Sequence, residues 1–289
     1  MNIKSKLQYG NPLDSLYVEY DRRKGHFSMS SSHMHSHYEL YYLFEGQRVY
    51  FIKDRSYTIQ AGDFVIIPSD VVHRTSDSGI PDHERMVLYF NDSYFKQYAP
   101  EEAELLLSPF HSSRHIVKIA HQERRHMEQQ FYMMLREIQE QPPGYKLTVQ
   151  HTAASMLIYV ARSMLENGAT PAEDELSPTE AKMMEIAQYI NAHFHEPLTL
   201  EMLSSKFYLS ESYLSRTFKK LTGFAFTEYV GMTRVKEAQK LLRETNKRIT
   251  DISEEVGFGS FAHFQKVFKD MTSLSPRDYR SQFRSSLPN

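Results

Sequence analysis

Over the last hundred residues the apolar positions recur with the period of a helix, and one pattern is written twice, fifty residues apart. Leu214, Thr217, Phe218 and Leu221 form one stripe; Phe264, Val267, Phe268 and Met271 repeat it. Both run i, i+3, i+4, i+7, the buried face of an amphipathic helix. Offset by two residues, about 200° around each helix, a second stripe points away from the core. It reads Ser212, Ser215, Arg216, Lys219 in one copy and Ala262, Gln265, Lys266, Lys269 in the other. Before each copy, Leu200, Leu203, Phe207 and Ile249, Ile252, Val256 predict a short helix. The turns between are Tyr208-Leu209 and Gly257-Phe258-Gly259, after which Ser210 and Ser260 stand as N-caps. Leu198-Thr199 and Arg248-Ile249-Thr250 lead in, each offering a capping residue to its short helix. Short helix, tight turn and second helix with a polar outer face make a helix-turn-helix, here doubled.

Upstream the period changes. From Tyr38 to Phe90 the chain is rich in Tyr, Val, Ile and Phe, broken at Gly46, Asp54, Gly62 and Pro68. This spacing predicts strands near 38–44, 48–53, 56–60, 63–67 and 86–90, hence a small sandwich or barrel. Two amphipathic stretches follow, one on Met127, Phe131, Met134, Leu135 and Ile138. The other runs on Ala154, Leu157, Ile158, Ala161, Met164 and Leu165, after a break at Gln141-Pro142-Pro143-Gly144. Such helices pack on the sheet or pair between protomers, and a homodimer through the first is expected. His115, His121 and His126 are expected at the surface. Asn167 to Pro178, with its acidic run Glu173-Asp174-Glu175, reads as a linker.

Small, amide and basic side chains facing outward from an apolar anchor suit a DNA major groove. Arg216 is the candidate for a bidentate contact to guanine, with Lys266 its counterpart; Phe261 and Ala262 open the second outer face. Lys219, Lys220, Lys269 and the cap serines Ser210 and Ser260 are candidates for phosphate. Charge agrees in sign: residues 178–289 carry 16 basic and 13 acidic side chains, residues 1–177 carry 18 and 23, within a net −2. The chain has no cysteine, which excludes disulfides and thiolate metal sites and fits a reducing cytoplasm. Met1-Asn2-Ile3-Lys4 opens no apolar leader, and no apolar run has the length of a membrane span. A cytoplasmic protein without membrane contact is therefore expected.

Residues from about 180 to 284 resemble the DNA-binding domain of AraC/XylS-type transcription regulators. The residues that carry the resemblance are Leu209-Ser210, Tyr213-Leu214-Ser215-Arg216, Phe218-Lys219-Lys220, Thr222-Gly223, Arg234, Ala238 and Leu241-Leu242. Val256-Gly257-Phe258, Phe264, Phe268-Lys269 and Ser275-Pro276-Arg277-Asp278-Tyr279-Arg280 continue it. The resemblance implies that a long helix, Phe226 to Glu244, joins the two units and sets both recognition helices into successive major grooves. Ser204 and Ser253 stand where the family has Ala, and Ser273 where it has Gly.

Residues 25–92 resemble a cupin. His33-x-His35, Glu39 and Gly46 follow the first cupin motif, and Gly62, Pro68 and His73 the second, with Asp70 and Asp77 as departures. In a period-2 strand His33, His35, His37, Glu39 and Tyr41 share one face. With His73 and Arg48 they are the candidate effector site, suited to a polyhydroxylated or anionic molecule. The resemblance makes His33, His35, Glu39 and His73 candidates for a divalent ion, but the expectation is no metal and no cofactor. An enzyme is not expected; the alternatives are a metal-dependent cupin enzyme or a sensor that does not bind DNA.

The expected fold class is α+β multidomain: an N-terminal cupin-like β-barrel with flanking helices and a C-terminal all-α domain with two helix-turn-helix units. The expected divisions are 1–118 for effector binding, 119–167 for helical dimerisation, 168–179 for the linker and 180–289 for DNA. The expected function is a sequence-specific transcriptional regulator whose barrel senses a small molecule, such as a sugar or related polar metabolite. Its expected partners are double-stranded DNA, the effector, a second copy of itself and RNA polymerase.

Overall fold

The computed structural model describes residues 3–28, 35, 37–69, 71–166 and 177–284. The N-terminal part opens with strands β1 (Lys6–Tyr9), β2 (Leu16–Arg23), β3 (Tyr38–Glu45), β4 (Gln47–Ile52), β5 (Arg55–Gln60), β6 (Asp63–Ile67), β7 (His73–Asp77) and β8 (His83–Phe90). Helices α1 (Asp92–Phe95) and α2 (Pro100–His111), strand β9 (Ile116–Lys118) and helices α3 (His121–Glu140) and α4 (Tyr145–Glu166) complete it. The C-terminal part is helical: α5 (Pro178–Ala192), α6 (Leu200–Phe207), α7 (Glu211–Thr222), α8 (Phe226–Glu244), α9 (Ile249–Glu255), α10 (Phe261–Thr272) and α11 (Pro276–Arg284).

Strand pairing makes a six-stranded sheet in the order β1-β2-β8-β3-β6-β9 and a three-stranded sheet in the order β5-β4-β7. The expected barrel is thus two sheets face to face, while the α+β class stands. The register shift between Leu43 and Glu45, and the positive φ of Gly46, turn the chain from the large sheet into the small one.

Alternation along β3 creates two cores at once. Leu40, Tyr42 and Phe44 point to one side and pack with Met127, Phe131, Met134, Leu135 and Ile138 of α3. Tyr41 and Leu43 point to the other and meet Tyr50, Ile52 and Ile59 of the small sheet. The apolar stripe of α3 is therefore used within the chain, against the sheet. On α4 the buried line is Val149, Ala153, Met156, Leu157, Val160 and Ala161, one step away from the expected stripe, and Leu165 is exposed. The break between these helices falls where Gln141 takes a left-handed conformation and two prolines follow.

The small sheet has its own outer face. Phe51 of β4 and Val72, just before β7, belong to the same apolar cluster as Met183, Ile186, Leu214, Phe218, Phe224 and Tyr229 of the helical part. The molecule is thus layered: helices, large sheet, small sheet, first helix-turn-helix unit.

In the helical part, Ser177 and Glu180 form a capping box at the start of α5, with Pro178 in the first turn. Helix α8 occupies the span expected of the connecting helix and anchors both units. Its Arg234 donates to the carbonyls of Phe194 (2.8 Å) and Glu196 (2.9 Å), and Arg243 donates to the Tyr279 hydroxyl of α11 at 2.8 Å. The second unit packs on α8 through Val235, Ala238, Leu242, Ile252, Phe264 and Phe268.

Candidate functional site

The two recognition helices are built alike. Ser210 accepts from the Tyr213 amide at 3.3 Å and Ser260 from the His263 amide at 3.3 Å, so both serines cap as expected. Leu214 and Phe218 in α7, and Phe264 and Phe268 in α10, are buried. Thr222 and Thr272 repeat a device at the far ends. Each hydroxyl donates to the carbonyl four residues back, at 2.7 and 2.8 Å, and accepts from the amide two residues on, at 3.1 and 3.3 Å. The short helices differ. Thr199 caps α6 by accepting from the Met202 amide at 3.1 Å, whereas α9 begins at Ile249 behind Arg248, which makes no side-chain cap. Thr250 falls inside α9, so the second unit lacks the cap expected there.

Ser212, Arg216, Lys219 and Lys220 are exposed on α7, and Ser215 is half-buried at the edge of the same face. Phe261, Ala262, Gln265, Lys266 and Lys269 are exposed on α10. Tyr208, 94% exposed, stands beside this surface, and Tyr213 and His263 lie on it. None of the three was anticipated as a contact, although Tyr208 was read in the turn and Tyr213 among the residues that carry the family resemblance. Tyr213 and His263 each lie three residues beyond a capping serine, in the first exposed turn.

The second site is a cavity of about 330 Å³ between the sheets, lined by Glu19, Arg23, Phe27, Glu39, Tyr50, His73, Thr75, His83, Arg85 and Tyr89. Of the expected effector residues, Glu39 and His73 line it. His35 reaches them, Tyr41 packs on Tyr50 with ring centroids 5.1 Å apart, and His37 lies 6.5 Å from the Tyr89 ring. His33 and Asp70 lie outside the described residues. Glu19, Arg23, Phe27, Thr75, His83 and Arg85 were not anticipated. Pairing aligns Glu19, Arg23, His83 and Arg85 on one face with Tyr89, a parity readable once β2 and β8 are placed side by side.

The histidines converge on one carboxylate. His35 Nε2 lies 3.2 Å and His73 Nε2 3.3 Å from Glu39 Oε2. His35 Nδ1 is 3.0 Å from the His37 carbonyl and His73 Nδ1 2.8 Å from the Val71 carbonyl, which assigns those nitrogens as donors. Burial alone would push the Glu39 carboxyl up, but the hydrogen bonds and charge of His35 and His73 outweigh it and hold it well below the usual carboxylate range. Both Nε2 atoms face the carboxylate, on the side where the imidazoles would present lone pairs to a cation. His35, Glu39 and His73 offer ligand atoms within 4.8 Å of one another, a set that suits a divalent ion. Across the cavity His83 is held down to about 4 by burial and by Arg48, Arg23 and Arg85, so it is neutral at pH 7.

A larger groove of about 860 Å³ lies beside α3 and α4, with Arg114, Lys118, Tyr159 and Arg162 on its walls. It is open to solvent, whereas buried polar groups converge in the cavity between the sheets, which is therefore the candidate effector site.

Contacts between the parts run through the small sheet. The Tyr229 hydroxyl donates to the Lys53 carbonyl at 2.6 Å, and Ser56 Oγ donates to the Leu221 carbonyl at 2.8 Å. Arg74 donates to the carbonyl of Gly223, the C-cap of α7. The Phe51 ring meets Phe224 and Tyr229 at 5.5 and 5.8 Å between centroids.

Comparison with known proteins gives two family matches: the AraC-like ligand binding domain over residues 17–152, and a helix-turn-helix domain over residues 203–282. An HTH-type transcriptional regulator of Bacillus subtilis, YfiF, is 24% identical over 291 residues, covering 94% of this chain and 85% of its own. An HTH-type transcriptional regulator of Staphylococcus aureus is 35% identical over 139 residues, 47% of this chain. The chain spans only 18% of that relative's length. Among solved structures, the C-terminal domain of AraT, a response regulator from Geobacillus stearothermophilus, is 33% identical over 40% of this chain and 92% of its own, with a TM-score of 0.34. With a ligand-binding domain of this type ahead of a paired helix-turn-helix, the chain belongs to the AraC family of transcriptional regulators.

Proposed function

We propose that this protein is a sequence-specific DNA-binding regulator in which a small polar metabolite, such as a sugar or a related compound, enters the inter-sheet cavity and changes how the first unit is held. The observation that carries this is the alternation of β7 and the residue before it. His73 and Thr75 face the cavity, while Val72 and Arg74 bear on the helical part. A ligand that binds one setting of this sheet better than another shifts the populations of both; one that binds them equally shifts nothing.

Residues 180–289 engage DNA through Ser210, Ser212, Ser215, Arg216, Lys219 and Lys220 of the first unit. The second unit uses Ser260, Phe261, Ala262, Gln265, Lys266 and Lys269. Residues 1–118 hold the effector, and 119–167 support a homodimer. The inner face of α3 is covered, so the dimer forms on its outer face, where Met133 is 59% exposed. The protein works in the cytoplasm, with RNA polymerase as a further partner. Among the described residues no helix is long and apolar enough to cross a membrane.

Selection of bound sequences from a random duplex pool, titrated at two salt concentrations, tests the assignment. A site with two short motifs one helical turn apart, and an affinity that falls steeply with salt, is expected. No motif and no salt dependence would leave a sensor that does not act on DNA. Arg216→Ala is expected to cost about 1–3 kcal/mol and to relax preference at one base pair. Uniform weakening on all sequences would make Arg216 a phosphate contact. The cluster of His35, Glu39 and His73 favours one second reading, a metal-dependent enzyme. Stoichiometric metal in protein purified without chelator, together with turnover, would establish it.

A further inference from the structure

We propose that the effector carries an anionic oxygen group, a carboxylate or a phosphate, and that this group completes the hydrogen bonding of Arg48. The proposal rests on the cavity being the effector site and adds the chemistry of what it holds. Arg48 is 1% exposed and among the largest fully buried side chains of the molecule. Its Nε lies 3.4 Å from Thr75 Oγ1, a long hydrogen bond, and its Nη2 has no partner among the described residues. No carboxylate of the described residues lies within ion-pair distance of it.

Its place in β4 ties Arg48 to the cavity. Arg48 and Tyr50 share a face, opposite Asp77 and Thr75 of β7, and Tyr50 and Thr75 line the cavity. The guanidinium lies 5.7 Å from the centre of the Phe27 ring, another lining residue. The Tyr41 hydroxyl, buried near Tyr50, also lacks a partner among the described residues.

The other charged groups of the cavity are committed. Arg23 pairs with Asp21 at 2.6 Å, Arg85 with Glu19 at 3.4 Å, and Glu39 with two histidines. Arg48 is the cation left over. A guanidinium has only donors and stays charged, so burial without an acceptor is costly. Asp77, opposite Arg48 on β7, attracts it from beyond ion-pair distance but is paired with His26 at 2.6 Å, and a ligand hydroxyl would add one acceptor and no charge. An anionic group supplies both charge and two acceptors in the fork geometry that arginine matches.

The test uses the full chain and a small-molecule extract of the host cell, ultrafiltered to remove nucleic acid. An anion-exchange resin splits the extract into a retained pool and a flow-through pool, and the thermal midpoint of the protein is read with each. The retained pool is expected to raise the wild-type midpoint by on the order of 5 °C, to act less on Arg48→Lys, and to leave Arg48→Met unmoved. Loss of the shift after phosphatase treatment would identify a phosphate; persistence would identify a carboxylate. A shift from the flow-through pool alone would overturn the anion and leave the effector site standing, as would an equal shift of wild type and Arg48→Met by the retained pool. No shift from either pool would remove the effector site itself. If Arg48→Met does not fold, Arg48→Lys and Tyr41→Phe carry the comparison.

Discussion

Tyr208 and Gly257 occupy the same turn position in the two units, with φ of 56° and 88°; Gly223 and Ser273 cap the two recognition helices at 81° and 61°. The left-handed region costs an L-residue roughly 1–2 kcal/mol, so tyrosine and serine here carry strain that glycine avoids. Ser273→Gly is expected to raise the denaturant midpoint, by about 0.5–1 kcal/mol of stability once the greater freedom of the unfolded chain is counted. The reverse change at Gly257 has no room, since a Cβ there would meet the carbonyls of His195 and Phe194 at 2.8 and 2.9 Å. The two serines at the family's alanine positions also part company. Ser204 donates to the Glu201 carbonyl at 2.9 Å, while Ser253 is 1% exposed with no partner for its hydroxyl among the described residues. Ser253→Ala is expected to stabilise by about 1 kcal/mol in urea titration; a loss would mean that the hydroxyl is satisfied.

Among the elements, what the chain announces in advance is whatever has a local period or a cap. Strands β3 to β6 and both recognition helices fall where alternation, helical spacing and the cap serines put them, and the connecting helix falls where the family resemblance placed it. Strands β1 and β2 are missed because sheet pairing, not local pattern, recruits them. Helix α2 is missed because its buried residues, Leu106, Pro109 and Phe110, gather at its C-terminal end instead of recurring along it. His115 was expected at the surface but is 4% exposed, its Nδ1 2.9 Å from the Ile66 carbonyl; only the pairing of β6 with β9 makes that position interior. The cavity was half legible: His35, Glu39, His73 and Arg48 were expected at the site, whereas Arg23 and Arg85, set on one face only by the pairing of β2 with β8, were not. The contact between the small sheet and α7 leaves no sequence signature, and its weight can be measured. Phe51→Ala with Arg74→Ala is expected to speed amide exchange at Thr222 to Phe224 and at the end of α7. Unchanged protection there would mean that the helical part holds this segment alone.

For the molecule as a whole, acid acts through groups that the fold keeps from their preferred protonation state. His83 and His115 are both held down to about 4, chiefly by burial. The unfolded chain binds their protons below about 6.5 while the native state does not. Stability is therefore full above about pH 6.5 and falls as pH drops toward 4, by roughly 3 kcal/mol for each histidine. The Glu39 carboxylate, depressed by its two imidazoles, adds a further loss below about pH 4.3, where the unfolded carboxyl takes up its proton first. Calorimetry from pH 7.5 to 4 is expected to show a level midpoint down to about pH 6.5 and a steady fall below it, and a flat profile between 6.5 and 5 would mean that these histidines open to water.

The small sheet also constrains how such a protein can change over generations. A substitution at His73 or Thr75 that suits a new metabolite moves a strand whose neighbours, Val72 and Arg74, grip the first unit. Taste and response are thus inherited together. If the cavity holds the effector as proposed, a lineage acquiring a new effector also alters how the first unit is held, and restoring that setting calls for second changes at Phe51, Gly223 or Tyr229, which lie at the contact with the small sheet.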